Sequence, residues 1–168
     1  MHIYDESTSR KIIWRVQINW SRERTFSERQ VNYIKANLSS ERGVYCIYFK
    51  NWVLPYSSPD WATRRWSRVV YIGSGKLKDR FCAHLKYKKN TRLAELLKKH
   101  ELAYRCDRII DTDVLDWPKT VEAALLEKFE EQFGQLPPAN SRRETIRDLP
   151  LNELILNQSS NFSFLARG

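Results

Sequence analysis

The sequence lacks a long apolar run. None of its segments reaches the roughly 18 consecutive apolar residues of a membrane-spanning helix. The first ten residues are polar, include Asp5 and Glu6, and contain no apolar core of a signal peptide. These absences predict a cytoplasmic protein with no membrane partner.

Cysteine is also scarce. The three cysteines, Cys46, Cys82 and Cys106, are odd in number and form no CxxC pair. A disulfide framework or a structural zinc site is therefore not expected. Because each cysteine has apolar neighbours in the sequence, we expect buried thiols.

Acidic residues are outnumbered by basic ones, 20 to 29, which gives a net charge of +9. Between residues 61 and 89 a single acid, Asp79, accompanies nine basic residues, with aromatic residues interleaved among them. Such a mixture suits phosphate contacts and base stacking. A membrane surface is the alternative polyanion, but it favours a basic amphipathic helix with a bulky apolar face, which the sequence does not show. We therefore expect a nucleic acid as the partner.

Local patterns predict alternating strands and helices. Alternation of apolar and polar residues predicts a strand over residues 14–20, and a capping-box pattern predicts a helix that starts at Ser27. Further strands are predicted at 44–49, 69–73 and 102–110, and further helices at 76–88, 91–100, 117–133 and, in a short form, 149–156. Prolines in the 51–68 connection argue against a central strand there. The order predicts one mixed α/β (α+β) domain, with a small, largely antiparallel sheet and helices packed against it.

One predicted helix carries groups that are suited to phosphate chemistry. Arg80, His84 and Tyr87 are spaced at i, i+4 and i+7, which places them on one helical face. Arginine can clamp phosphate oxygens, and histidine can transfer protons near neutral pH. The alternative is an ordinary solvated basic face, and the spacing alone leaves both possibilities open.

The order of several short motifs resembles the GIY-YIG nuclease superfamily. These motifs are Gly43-Val44-Tyr45, Tyr71-Ile72-Gly73, Arg80 with His84, Leu125-Leu126-Glu127 and Pro137-Pro138-Ala139-Asn140. The resemblance covers about residues 43–140 and implies a three-stranded core sheet. It divides the chain into an N-terminal strand-helix extension (1–40), a nuclease core (41–141) with an insert (51–68), and a C-terminal extension packed on the core (142–168).

The resemblance also implies roles for individual residues. The catalytic set would be Tyr45, Tyr71, Arg80, His84, Glu127 and Asn140. Glu127 would bind one Mg²⁺ or Mn²⁺ ion per active site and is preferred over Glu122, because its sequence context is closer to the family pattern. One tyrosine would help to activate water, for which nearby cations such as Arg80 and Lys76 would have to lower its pKa. Lys76 is alternatively a general base, and Gly73 would allow a tight backbone turn.

The implied function is a metal-dependent DNA endonuclease. A restriction-type enzyme is favoured, because 25 residues separate Tyr45 from Tyr71 and resemble the insert of restriction members. A palindromic double-strand cut would require a homodimer. Alternatives are a structure-specific repair nuclease, a nuclease acting on RNA and a non-catalytic nucleic-acid-binding protein. Expected DNA contacts are Arg64, Arg65, Arg68, Lys76, Lys78, Lys86 and Lys88.

Overall fold

The computed structural model describes residues 2–8, 11–38, 41–56, 65–109, 117–141, 153–156 and 166–167. Its strands are β1 (His2–Thr8), β2 (Lys11–Gln17), β3 (Arg24–Phe26), β4 (Arg42–Phe49), β5 (Leu54–Tyr56), β6 (Arg65–Ser67), β7 (Val69–Lys76), β8 (Leu102–Arg108), β9 (Glu153–Leu156) and β10 (Ala166–Arg167). Its α-helices are α1 (Val31–Asn37), α2 (Leu77–Leu85), α3 (Thr91–Lys99) and α4 (Trp117–Phe133). The expected mixed α/β class with a mostly antiparallel sheet is confirmed.

The central sheet has four strands in the order β3-β8-β4-β7, and every neighbouring pair is antiparallel. The expectation of three strands was wrong by one edge strand. Strand β3 pairs only three residues with β8, from Arg24↔Tyr104 to Phe26↔Leu102. So short a segment carries no readable alternation, and its strand conformation comes from pairing with β8.

Strand β4 lies at the centre of the fold, where both faces of the sheet are covered. Its side chains alternate between two cores. Val44, Cys46 and Tyr48 pack in the core that contains α4, whereas Tyr45 and Ile47 pack in the core that contains residues of α1, α2 and α3. The buried faces on both sides explain why β4 is apolar almost throughout rather than at every second residue.

Helix α4 occupies the expected range and covers one face of the sheet. It contributes Val121, Leu125 and Phe129 to the core, each of them fully buried. Gly134 ends the helix with a φ of 75°, a left-handed conformation that glycine adopts at little cost. The position of α4 matters for function, because one of its carboxylates reaches strand β7.

Two smaller sheets involve the chain extensions. Strands β1 and β2 form an antiparallel hairpin, and β9 adds to β2 in parallel, with Ile13↔Glu153 to Val16↔Leu156. The predicted short helix over 149–156 was therefore wrong for residues 153–156, since pairing with β2 overrides a weak helical preference. The strand predicted over 14–20 lies instead at residues 11–17.

The insert contains two short strands, although its prolines argued against a central strand there. Strands β5 and β6 pair antiparallel, and β10 pairs with the other side of β6. Pro55 lies in β5, an edge strand, where a missing backbone N–H is tolerated. Residues 57–64, which include Trp61 and Arg64, lie outside the described residues.

The first helix starts later than its sequence pattern predicts. The helix expected from Ser27 begins as one 3₁₀ turn and becomes α1 only at Val31, and Ser27 makes no side-chain cap hydrogen bond. In the part of the chain that the structure describes, no helix combines the length and apolar character needed to cross a membrane.

Candidate active site

Strand pairing brings Tyr45 and Tyr71 together. Tyr45 is paired with Gly73, and Tyr71 lies two residues earlier on β7, so both side chains point to the same face of the sheet. Their ring centroids are 5.9 Å apart. The pairing of β4 with β7 therefore brings the tyrosines of the two motifs into one cluster.

Gly73 provides the space that this tyrosine pair needs. A Cβ atom at Gly73 would lie 2.5 Å from Tyr45 Oη and 2.6 Å from Tyr71 Cε1, both far inside van der Waals contact. The expected tight turn at Gly73 is wrong, because β7 continues through it to Lys76. The positive φ nearby belongs to Gly75, at 118°.

Helix α2 adds Arg80 and His84 to the tyrosines. The Nε2 atom of His84 lies 2.8 Å from Tyr45 Oη in a buried hydrogen bond. The guanidinium of Arg80 acts on both phenols and favours their charged form, which lowers the pKa of each. Phe81 fixes the helix by packing on Tyr45 with a centroid distance of 4.8 Å. Tyr87 does not extend this face, because α2 ends at Leu85, and Tyr87 is 62% exposed.

Burial sets the protonation states of the cluster. It raises the pKa of Tyr45 well above its usual value, and the neighbouring Tyr71 adds to this, although Arg80 acts in the opposite direction. Burial, followed by the charge of Arg80, lowers the pKa of His84 to about 4. At neutral pH the phenols are therefore protonated and the imidazole is neutral. The expected cation effect on tyrosine is present but is weaker than desolvation.

Two hydrogen-bond arrangements fit a neutral His84. If Nδ1 carries the proton, Tyr45 donates its hydroxyl hydrogen to Nε2. If Nε2 carries it, the Tyr45 oxygen accepts from Nε2 and Nδ1 has a free lone pair. Among the described residues Nδ1 has no hydrogen-bond partner.

Glu122, rather than Glu127, is the carboxylate associated with this cluster. Glu122 is 7% exposed and accepts a hydrogen bond of 2.5 Å from Ser74 Oγ, which approaches from strand β7. Burial raises the pKa of Tyr71 most, and the charge of Glu122 raises it next. By strand alternation Ser74 projects to the face of the sheet that α4 covers, so Glu122 acts on Tyr71 from the opposite face. Glu127 is exposed. The two glutamates are five positions apart on α4 and therefore point to different sides of the helix. The geometry favours Glu122 over the expected Glu127 as the carboxylate that acts on the phenols.

Asn140 supports the site without touching the tyrosine hydroxyls. Its Nδ2 donates to the carbonyl of Ile72 at 2.8 Å, and its Oδ1 accepts from the N–H of Ile72 at 3.0 Å. Ile72 lies between Tyr71 and Gly73, so this pair of hydrogen bonds holds the backbone that positions both. Asn140 is thus a positioning residue.

The expected DNA-binding residues divide into two groups. Lys76, Lys78 and Lys86 are exposed or half-buried, and Lys88 pairs with Glu28 at 3.0 Å. Because Lys76 is exposed, it lacks the burial that a general-base role would need. The arginines of the insert are used internally: Arg65 donates to the Gln132 carbonyl, and Arg68 donates to the carbonyls of Phe49 at 2.7 Å and Lys50 at 2.5 Å.

A cleft of about 390 Å³ opens beside the cluster. Tyr71, Arg80 and His84 line it, whereas Tyr45 is completely buried behind them. Glu122 and Ser74 do not line this cleft. Sequence reasoning missed Ser74 and the spatial role of Gly73, for which strand register is the only signal. Cys46 is buried as expected, but Cys82 and Cys106 are half-buried.

Comparison with known proteins adds no assignment. No family model matches the chain, and no curated protein and no solved structure matches it either.

Proposed function

We propose that the protein is a metal-dependent nuclease that hydrolyses phosphodiester bonds in DNA with GIY-YIG-type chemistry. The observation that carries this proposal is the cluster that the buried Tyr45, Tyr71 and His84 form with the exposed Arg80. It combines a guanidinium, a neutral imidazole and two protonated phenols at one cleft. Phosphodiester hydrolysis needs a group that stabilises phosphate charge and groups that move protons.

Each group has a role that follows from its environment. Arg80 stays charged and would stabilise the negative charge that grows on the phosphate oxygens. His84 is neutral at neutral pH, and in the arrangement with the proton on Nε2 its Nδ1 can accept a proton from attacking water. Tyr71 lines the cleft and would contact the phosphate, while Tyr45 orients His84 through their hydrogen bond.

Glu122 is the residue that would hold the divalent ion. A buried carboxylate whose charge acts on both phenols fits a hard cation such as Mg²⁺ or Mn²⁺. Among the described residues, no three His, Cys, Asp or Glu side chains converge on a metal site. Mg²⁺ commonly binds through one or two carboxylates and completes its shell with water and phosphate oxygens, so a single glutamate is compatible with it. When bound, the ion would supply positive charge at the phosphate and make coordinated water more acidic.

The decisive experiment is cleavage of supercoiled plasmid with Mg²⁺ or Mn²⁺. Wild type should nick or linearise the plasmid, and Arg80→Ala should lose at least about a hundredfold in rate, as expected for a group that stabilises transition-state charge. Glu122→Gln should lose the metal-dependent activity, whereas the matched control Glu127→Gln on the same helix should retain it. The opposite result for the two glutamates would restore Glu127 as the metal ligand. Absence of cleavage of duplex, single-stranded, branched and RNA substrates would leave a non-catalytic nucleic-acid-binding protein as the alternative.

The type of nuclease depends on where it cuts. A restriction-type enzyme is the favoured subclass, and a structure-specific repair nuclease is the second candidate. Sequencing of the ends cut from a random duplex library should reveal a recurrent motif for the first and junction-associated ends for the second. Palindromic double-strand cuts would require a homodimer, which light scattering of the DNA complex would detect.

A further inference from the structure

The cleft beside the catalytic cluster continues beyond the groups used for chemistry. Past Tyr71, Arg80 and His84 its wall is formed by the start of α3 and the residues before it, Lys89, Asn90, Thr91 and Arg92. These four residues were not among the expected contacts for nucleic acid. Together with Arg80, the lining carries three cationic side chains and no carboxylate among the described residues.

A second large cavity has a lining of mixed charge. That cavity, of about 630 Å³, is lined by two carboxylates, Glu28 and Glu101, as well as by the cationic Arg29, Lys50, Lys88 and Lys98. Lys88 is already paired with Glu28 at 3.0 Å. Its mixed charge does not favour an anion, whereas the cleft at Arg80 does.

The far end of the cleft is held firmly in place. Asn90 Oδ1 accepts from the N–H of Leu93 at 3.0 Å and caps α3, while its Nδ2 donates to the Ala139 carbonyl at 2.8 Å. The N–H of Ala139 in turn donates to the carbonyl of Val70 at 2.9 Å, next to Tyr71. A continuous series of hydrogen bonds therefore fixes Thr91 and Arg92 relative to the catalytic tyrosine.

His84 provides an independent sign that the cleft receives a ligand. It is 5% exposed, it lines the cleft, and its Nδ1 has no partner among the described residues. Buried polar atoms are rarely left without a partner, so an unsatisfied nitrogen at a cleft wall points to a polar ligand or water there. The N-terminal end of α3 adds its positive dipole end to the same space.

We propose that Lys89, Thr91 and Arg92 form a subsite for a second phosphate of the nucleic acid, next to the one that is cleaved. This inference rests on the proposed function, because it takes the phosphate at Arg80 as the scissile one. The strand would pass from Arg80 along the cleft to the start of α3. Contacts to the phosphate would fix its register but not its base sequence.

Binding measured without metal tests the subsite separately from catalysis. The probe is a fluorescein-labelled 12-nucleotide single strand, titrated by anisotropy at a series of NaCl concentrations. The double variant Lys89→Gln/Arg92→Gln should bind roughly tenfold or more weakly at low salt. The slope of log affinity against log salt should be less steep by about 0.7, the value for one lost phosphate contact on a single strand.

The matched control is Lys98→Gln/Lys99→Gln, which also removes two positive charges, but from the last turn of α3. It should keep the wild-type slope. Equal slopes for both double variants and wild type would overturn the subsite, and so would a wild type that fails to bind the oligonucleotide. Because metal is absent, a reduced slope in the first variant would support the subsite even if no substrate is ever cut.

A cleavage measurement then places the subsite along the strand. Neutral methylphosphonate linkages are introduced one at a time on either side of the cleaved bond. A methylphosphonate at one flanking position should raise the KM of wild type and leave its kcat little changed. The same linkage should change the KM of the Lys89→Gln/Arg92→Gln variant little. Equal sensitivity of both proteins at every flanking position would contradict the subsite while leaving the nuclease proposal intact.

Discussion

The buried imidazole of His84 should make the fold sensitive to acid well before its own pKa is reached. His84 is surrounded by the hydroxyl of Tyr45 from β4, the ring of Tyr71 from β7 and the guanidinium of Arg80 from its own helix. Burial and then Arg80 lower its pKa to about 4 from 6.5. In the unfolded chain the imidazole is solvated and binds its proton near the usual value.

The size of the effect follows from proton linkage. The folded state binds fewer protons than the unfolded state between these two pKa values, so stability is full above about pH 6.5 and is lost as the pH falls towards 4. For a single group shifted in this way, the free energy of unfolding drops by about 2 kcal/mol between pH 7 and pH 5. That is a large fraction of the stability of an ordinary domain.

Urea unfolding of wild type and His84→Gln at pH 7 and pH 5 measures this contribution. Glutamine cannot titrate, so the variant should lose about 2 kcal/mol less than wild type over the same pH change. An equal loss of stability in wild type and His84→Gln, or a His84 ring resonance that titrates near 6.5 in the folded protein, would refute the reasoning.

Three further substitutions test the site and its support. Gly73→Ala should reduce plasmid cleavage by at least about a hundredfold and lower the free energy of unfolding by roughly 1–3 kcal/mol, because the new Cβ would collide with Tyr45. Full cleavage activity together with unchanged stability in urea would contradict this prediction. Arg68→Met should lower the urea midpoint by an amount equivalent to about 1–3 kcal/mol and leave DNA affinity nearly unchanged, because the guanidinium donates its hydrogen bonds to backbone carbonyls. A loss of DNA binding without a loss of stability would show that Arg68 contacts DNA instead. Asn140→Ala should cost about 1–3 kcal/mol and lower kcat, because both backbone groups of Ile72 lose their partner, and a change in neither would rule out the positioning role.

The choice between two glutamates shows where sequence reasoning reached its limit. Local context favoured Glu127, which follows two leucines on the same helix. The structure places Glu122 against Ser74 instead and leaves Glu127 in solvent. Which side of α4 faces the sheet depends on packing across β4 and β7, and helical periodicity gives only the relative angle between positions. A search for glutamates within the apolar stripe of α4 would have raised Glu122 as the candidate.

The extensions show a similar limit for strands. The β4 and β7 patterns are rich in β-branched and aromatic residues, so their strand conformation was readable locally. Strands β3 and β9 have three and four residues. Segments this short become strands through hydrogen bonds to β8 and β2, which lie far away in the sequence, and no local pattern reports such a partner.

By itself, the sequence determined the two central strands, the helices α2, α3 and α4, the excess of positive charge and the residue types of the site. These features depend on local periodicity and composition, which a chain carries before it folds. Only the tertiary structure decided that Gly73 makes room for two phenols, that burial outweighs Arg80 in setting their pKa, and that Glu122 is the carboxylate nearby. The physical reason is that desolvation, close packing and hydrogen-bond geometry belong to pairs of residues that are distant in the chain and are brought together only when the sheet forms.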